Sequence, residues 1–143
     1  MSIRSIIALL AVALVWIAPG PASAQQATAR SETVTPAFRH AIPNIPGKSV
    51  IAVVVHYAPG AKSRPHHHAA SAFVIAYVLS GAIRSQVNDG PVRVFHAGES
   101  WTEAPGAYHR VSENASATEP ASLLAIFIVD SNDKSLTTFD RGR

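Results

Sequence analysis

The chain has 143 residues, of which 12 are Lys or Arg and 9 are Asp or Glu, so its formal net charge is only +3. The basic residues are scattered singly, which argues against nucleic acid as the main partner. The chain contains no cysteine, and this excludes disulfides, thiolate metal ligands and a cysteine nucleophile.

The first 24 residues have the features of a secretory signal peptide. Arg4 precedes an apolar run from Ile6 to Ala18, and small residues end the segment at Ala24. The apolar run is shorter than the about 20 residues that span a bilayer. We therefore expect cleavage after Ala24, a periplasmic or secreted product, and no membrane association after cleavage. The remaining residues suffice for one domain with its own core.

Residues 25–49 are polar and rich in proline, which predicts an N-terminal arm along the domain edge. Residues 50–129 are rich in β-branched and apolar residues between Gly, Pro and Asn turns, which predicts short strands. The predicted strands are Val50–Tyr57, Phe73–Leu79, Ala82–Val87, Val92–Phe95, Ser100–Glu103, Tyr108–Ser112 and Leu123–Val129. No window predicts an amphipathic helix, so we expect an all-β single-domain barrel or double-sheet jelly roll. Residues 130–143 form a polar tail that we expect on the surface.

Three consecutive histidines precede the strand predicted at residues 73–79. In an extended chain alternate side chains share a face, so His66 and His68 point to one side and His67 to the other. A third histidine, His109, follows a Pro-Gly turn. Neutral imidazoles are common metal ligands, and three of them leave coordination positions open for water or substrate. The alternative is an exposed polar loop.

The spacing of these residues resembles the two sequence motifs of the cupin family. Gly60, His66, His68 and Gly81 match the first motif, and Gly98, Gly106, His109 and Asn114 match the second. Two departures stand out. The family's metal-binding glutamate falls on Val74 by counting back from Gly81, or on Ala72 or Phe73 by counting forward from His68. In the second motif Pro105 comes one residue late, and Asn114 is one residue further from His109 than usual.

The resemblance is greatest to small single-domain cupins described as quercetin-dioxygenase-like. It implies a double-stranded β-helix barrel that binds one divalent metal through His66, His68 and His109. It also implies a homodimer. Iron(II) is the favoured metal, and zinc, manganese, nickel and copper are alternatives, because imidazole suits several of these ions. Some cupin dioxygenases are similar in using three histidines without the glutamate.

Two further polar side chains are candidates for the interior. Glu103 lies six residues before His109, where strand alternation turns it either into the barrel, as a fourth ligand or general base, or out to solvent. Gln86 is a second candidate by the same alternation. Tyr77 and Trp101 are expected in the core or at a dimer interface, with substrate stacking as a lesser alternative.

The residues together with the resemblance predict an exported metal-binding cupin, with a dioxygenase-type oxidoreductase as the leading function. The resemblance implies a small phenolic or enolic molecule as substrate. The competing prediction is a non-catalytic barrel that binds a small ligand or a metal. A third alternative is that loss of the glutamate marks a barrel without metal.

Overall fold

The computed structural model describes residues 32–140. The predicted signal peptide and its cleavage site lie outside these residues. Within the described range the chain forms ten strands and no α-helix. The strands are β1 Thr33–Ala41, β2 Lys48–Tyr57, β3 His66–His68, β4 Phe73–Ser80, β5 Ala82–Val87, β6 Arg93–His96, β7 Ser100–Glu103, β8 Tyr108–Asn114, β9 Ala121–Asp130 and β10 Thr137–Phe139. No helix in this range is long and apolar enough to cross a membrane.

The strands form two five-stranded antiparallel sheets. The first sheet has the order β1-β2-β9-β4-β7, and the second has the order β10-β3-β8-β5-β6. Each predicted strand overlaps an observed one, with ends that agree to within two residues. The predicted all-β, double-sheet barrel is therefore confirmed.

The core lies between the two sheets. Strand β9 shows the alternation most clearly, because every second residue from Ala121 to Val129 is buried and the residues between them are partly exposed. Val74 and Val78 on β4 and Ile83 on β5 are almost fully buried. These side chains supply the apolar burial that holds the sheets together in a protein without disulfides.

The two outermost segments form strands that the sequence pattern did not predict. Strand β1, in the predicted arm, pairs with β2 at the edge of the first sheet, and its register shifts between Pro36 and Phe38. An edge strand tolerates proline because one side of its backbone needs no partner. Strand β10, in the predicted tail, pairs with β3, so that Phe139 lies opposite His66.

A β-bulge in β8 accounts for the unusual spacing of the second motif. Gln86 of β5 lies opposite Val111, whereas the next residue, Val87, lies opposite His109, so Arg110 is the extra residue. Arg110 is exposed, while His109 and Ser112 are both buried. Regular alternation would place residues 109 and 112 on opposite faces, and the bulge brings both into the barrel.

Candidate metal centre

The three predicted histidines meet in the barrel interior. His66 and His109 are opposite each other in the antiparallel pair of β3 and β8. His68 lies two residues along β3 on the same face, and His67 between them is exposed. One ring nitrogen from each of His66, His68 and His109 lies within 4.8 Å of the others. The alternation predicted for the histidine run is thus confirmed.

Hydrogen bonds orient two of the three imidazoles. His66 Nδ1 donates to the carbonyl oxygen of Arg64 at 2.7 Å. Since a carbonyl can only accept, Nδ1 carries the proton and Nε2 keeps a free lone pair. His109 Nε2 lies 2.9 Å from Ser85 Oγ, which can either donate or accept. Such contacts hold metal-ligating histidines in orientation.

Glu103 is buried beside the histidines, with 2% of its surface exposed. Its Oε2 lies 3.0 Å from His68 Nε2, and its Oε1 lies 3.3 Å from His109 Nδ1. The indole N–H of Trp101 donates to Oε1 at 3.0 Å. Strand alternation allowed two orientations for Glu103, and the structure shows the inward one.

Several buried polar atoms at this point have no hydrogen-bond partner among the described residues. They are both ring nitrogens of His68 and Oε2 of Glu103. His68 Nε2 and Glu103 Oε2 are nevertheless only 3.0 Å apart. Leaving such atoms unpaired in the interior costs about 1–3 kcal/mol each. Two donor atoms that each lie about 2.1 Å from one metal ion, in directions at right angles, are about 3.0 Å apart. This is the distance between His68 Nε2 and Glu103 Oε2. The donor set thus fits a divalent cation.

Glu103 occupies a position related to the missing motif glutamate. Val74, where counting back from Gly81 places that glutamate, is the Cα partner of Glu103 in the pair of β4 and β7. Side chains of directly opposed residues share a face and lie about 5 Å apart at Cβ. The carboxylate therefore enters the same region of the interior from the adjacent strand.

The protonation states also suit metal binding. Burial lowers the pKa of His109 to about 4 and also lowers the pKa of His66. Burial tends to raise the pKa of Glu103, but the close contacts with His68, the charge of His109 and the Trp101 hydrogen bond hold it below the ordinary value. At neutral pH His66 and His109 are neutral and Glu103 is ionised, as metal ligands must be.

A cavity of about 100 Å³ lies over the histidines and Glu103. Apolar side chains of β2, β4 and β9 form most of its wall, and Thr137 and Phe139 of β10 line it from the other sheet. The Phe139 ring makes an edge contact with His66, with ring centroids 5.6 Å apart. The predicted tail therefore contributes directly to the candidate site.

Other candidate residues lie elsewhere. Gln86 does not line the cavity, and its amide donates to the Gly90 carbonyl in the β5–β6 turn at 2.9 Å. The prediction of an interior Gln86 is wrong, because Ile83 and Ser85 are the inward residues of β5 and Gln86 alternates with them. Tyr77 is 42% exposed and not in the core. Trp101 does line the cavity.

Three features around the site were not predicted from the sequence: the contact of Ser85 with His109, that of Trp101 with Glu103, and the inward position of Ser112. Ser85 could have been found, because it shares a face with the buried Ile83 on β5. The Trp101–Glu103 contact also has a sequence signal, since residues two apart on a strand share a face. Ser112 had none, because it faces inward only through the bulge.

Two five-stranded sheets around a buried three-histidine cluster define a metal-binding β-barrel. The family model described as "Cupin domain" matches residues 53–127, just over half of the chain. The chain therefore belongs to the cupin domain family, and its buried histidine cluster is a site suited to a divalent metal.

Solved structures show the same fold at low sequence identity. An uncharacterized conserved protein with a double-stranded β-helix domain from Klebsiella pneumoniae is 22% identical, with a TM-score of 0.54 over 65% of this chain and 76% of that chain. Oxalate oxidase in complex with glycolate is 23% identical, with a TM-score of 0.60 over 79% of this chain and 57% of that chain. A DMSP lyase structure is 16% identical, with a TM-score of 0.54 over 64% of this chain and 44% of that chain. No curated protein matched the chain significantly.

Proposed function

We propose that this cupin is an exported, metal-dependent oxidoreductase of the dioxygenase type that acts on a small phenolic or enolic substrate. The observation that carries the proposal is the meeting of three buried imidazoles and one buried carboxylate at an apolar cavity. A substrate of this kind is also what the resemblance to quercetin-dioxygenase-like cupins implies. Iron(II) is the favoured metal.

His66, His68 and His109 would hold the metal, with Glu103 as a fourth ligand. We prefer the ligand role of Glu103 to that of a general base, because its Oε2 and His68 Nε2 approach each other without hydrogen bonding. The Trp101 indole N–H orients the carboxylate through Oε1. When bound, iron(II) would supply Lewis-acid and redox chemistry toward oxygen and an enolic substrate.

The cavity walls complete the role of the protein. Apolar side chains such as Val74 and Phe127 line the cavity next to the ligands. They lower the local polarity around a metal held by the histidines, which would strengthen its electrostatic interactions with a ligand. The protein thus provides orientation and an apolar site for a metal-bound substrate.

Metal content is the first test. Mature protein, purified without chelator and without a histidine tag, is compared by elemental analysis with the His66→Ala/His109→Ala variant. His67→Ala is the matched control, since His67 lies between two ligands but faces away. We expect about one equivalent of a redox metal in the wild type and the control, and none in the double variant.

Oxygen consumption with catechols is then measured on the iron-loaded protein. Turnover that depends on the histidines supports the proposal. One equivalent of zinc, or metal and ligand binding without oxygen consumption, would replace it with a hydrolase, an isomerase or a non-catalytic binding barrel. No metal after reconstitution with iron, manganese, nickel, copper and zinc would overturn it.

Export is the part of the proposal that concerns the N-terminal residues. Export is supported by Arg4, the apolar run after it and the small residues before Gln25. This is the order of features in a secretory signal peptide. N-terminal sequencing of the protein recovered from the periplasmic fraction and the medium tests it. We expect the mature chain to begin at Gln25, and a full-length cytoplasmic product would contradict export.

A further inference from the structure

The cavity is apolar, and its charged lining is acidic. The side walls are formed by valine, alanine, leucine and phenylalanine side chains of β2, β4 and β9. Among the described residues that line it, Glu32 and Glu103 are acidic and none is Lys or Arg. A ligand with two negative charges would therefore be attracted by only one cation, the metal, and repelled by two carboxylates. An uncharged or singly charged ligand suits this lining better.

The cavity wall contains a second polar group, formed by three hydroxyls. Tyr57 OH lies 2.8 Å from Ser63 Oγ and 2.8 Å from Ser112 Oγ. All three residues line the cavity, and Tyr57 and Ser112 are buried. Burial raises the pKa of Tyr57, so its hydroxyl stays protonated at neutral pH.

The hydroxyl cluster has one more O–H donor than it has hydrogen bonds. Three hydroxyls carry three O–H protons, but they make only two hydrogen bonds with one another. No other described side chain or carbonyl accepts from them. One O–H group is therefore left unpaired, whichever way the chain of hydroxyls is oriented. All three hydroxyl residues line the cavity, so this group is available to an acceptor there.

One member of the hydroxyl cluster, Ser112, lies on β8, the strand that carries His109. Ser112 is the Cα partner of Ser85 in the pair of β5 and β8. Ser85 Oγ in turn lies 2.9 Å from His109 Nε2. A small ligand held by the metal can thus reach the hydroxyls with another part of its structure.

The cavity volume limits the size of such a ligand. A buried water needs about 10–15 Å³ of cavity space, so a cavity of about 100 Å³ holds on the order of seven to ten non-hydrogen atoms. This corresponds to one six-membered ring with a few substituents. A flavonol with its fused rings is too large for the cavity as it stands.

We propose that Tyr57, Ser63 and Ser112 form a substrate-selecting donor group for a single-ring phenol or enol that carries an additional carbonyl oxygen. The substrate's hydroxyl or enol oxygens lie at the metal, and its carbonyl oxygen accepts the spare hydroxyl proton. This inference rests on the proposed function only for the metal-bound end of the ligand. It concerns binding, and it can be tested without turnover.

The test compares two ligands of nearly equal size on the mature protein loaded with zinc, which binds catechols without oxidising them. The first ligand, 3,4-dihydroxybenzaldehyde, has a carbonyl, and the second, 4-methylcatechol, has a methyl group in its place. Calorimetric titration gives both dissociation constants. The formyl group also acidifies the catechol and changes its affinity for zinc, an effect that the variants below share. We expect the hydroxyl cluster to contribute about tenfold to the preference for the aldehyde, the effect of one hydrogen bond of about 1.4 kcal/mol.

Variants assign the preference to the hydroxyl cluster. Tyr57→Phe/Ser63→Ala/Ser112→Ala removes all three O–H donors and should lower the affinity ratio of the two ligands about tenfold, while binding of 4-methylcatechol changes little. Thermal unfolding checks that it folds, and Ser63→Ala/Ser112→Ala, which leaves Tyr57 as the one remaining donor, is a milder variant that should lower the ratio in part. Ser122→Ala is the matched control, because Ser122 shares a hydroxyl pair with Ser80 on the outer face, and it should keep the wild-type ratio.

The outcomes separate this inference from the proposed function. A wild-type affinity ratio that survives unchanged in Tyr57→Phe/Ser63→Ala/Ser112→Ala, or in Ser63→Ala/Ser112→Ala, would overturn the donor group while leaving the metal site and oxidation untouched. Failure of the zinc-loaded wild type to bind either catechol would overturn both. A preference confined to proteins with the intact cluster supports the inference even if the iron-loaded protein consumes no oxygen.

Discussion

Glu103 lies directly across the β4–β7 strand pair from Val74, the position at which the cupin motif places its glutamate when counted back from Gly81. The carboxylate is buried, and its oxygens reach His68 and His109. Because opposed residues of antiparallel strands project side by side, one strand can supply a ligand that its neighbour has lost. We therefore expect a carboxylate at position 74 to reach the candidate metal site as Glu103 does.

The first prediction exchanges the two residues. Glu103→Val should lower metal affinity by about 100-fold or more, above the 10–100-fold typical of outer-shell changes. Adding Val74→Glu in the same chain should restore at least part of it, because the carboxylate returns across the strand pair. Metal competition titrations measure both effects. If Val74→Glu/Glu103→Val binds no better than Glu103→Val, the two positions are not equivalent.

The second prediction concerns the indole that orients the carboxylate. Trp101→Phe removes the N–H donor to Glu103 Oε1 but keeps an aromatic ring in the cavity wall. The pKa of Glu103 should rise, and metal affinity should fall about tenfold. The fall should be larger at pH 5 than at pH 8, because protons compete for the carboxylate. Equal losses at the two pH values would contradict an electrostatic role for the indole.

The third prediction is the pH dependence of stability in the metal-free protein. The pKa of His109 is about 4 in the folded state, against 6.5 as its ordinary value, and that of His66 is also lowered. Between these two pKa values the unfolded chain binds protons that the folded chain does not. The free energy of unfolding therefore decreases as the pH falls. The loss reaches about 3 kcal/mol for His109 alone.

Glu103 adds to this effect at lower pH. Because its folded pKa is lowered, its contribution is present above its ordinary value of 4.5 and is lost as the pH falls through the folded value. Urea unfolding at several pH values measures the whole profile. His109→Gln should flatten it between pH 6.5 and 4, and an unchanged slope would show that His109 does not cause the loss.

The fourth prediction compares two glycines with the same backbone conformation. Gly81 and Gly60 have φ angles of 68° and 69°. In this left-handed region a residue with a side chain is less stable by about 1–2 kcal/mol. A Cβ on Gly81 would lie 2.7 Å from the Pro120 carbonyl oxygen, whereas one on Gly60 would meet nothing within 4 Å. Gly81→Ala should therefore destabilise by several kcal/mol, and Gly60→Ala by about 1. Similar losses in thermal unfolding would show that the strand ends shift to accommodate the methyl group.

The fifth prediction is a homodimer formed through the outer face of the first sheet. Phe73 and Tyr77 on β4 are 36% and 42% exposed. Their cross-strand partners, Ile128 and Leu124 of β9, are only half-buried. Such apolar surface is typical of an interface. We expect light scattering to give a dimer, and Tyr77→Arg to give a monomer with unchanged metal content. A monomeric wild type would contradict the prediction.

Much of the fold was predictable because its signals are local. Runs of β-branched residues and the turns between them predicted β2 and β4 to β9. Strands β1 and β10 were not predicted, and β3 was predicted only as an extended stretch. Phe139 and its neighbours form a strand only because β3 is there to pair with them. Short polar segments of this kind carry little intrinsic preference, so their structure depends on the partner.

The sequence by itself determined the barrel class, the cupin motifs and the histidine set, since His66 and His68 share a face in any extended strand. Tertiary structure alone decided which carboxylate joins them and which hydroxyls face the cavity. The partner of Val74 is set by strand register between β4 and β7. The inward turn of Ser112 is set by the bulge at Arg110. Register and bulges arise from pairing between distant segments, and local residue patterns do not encode them.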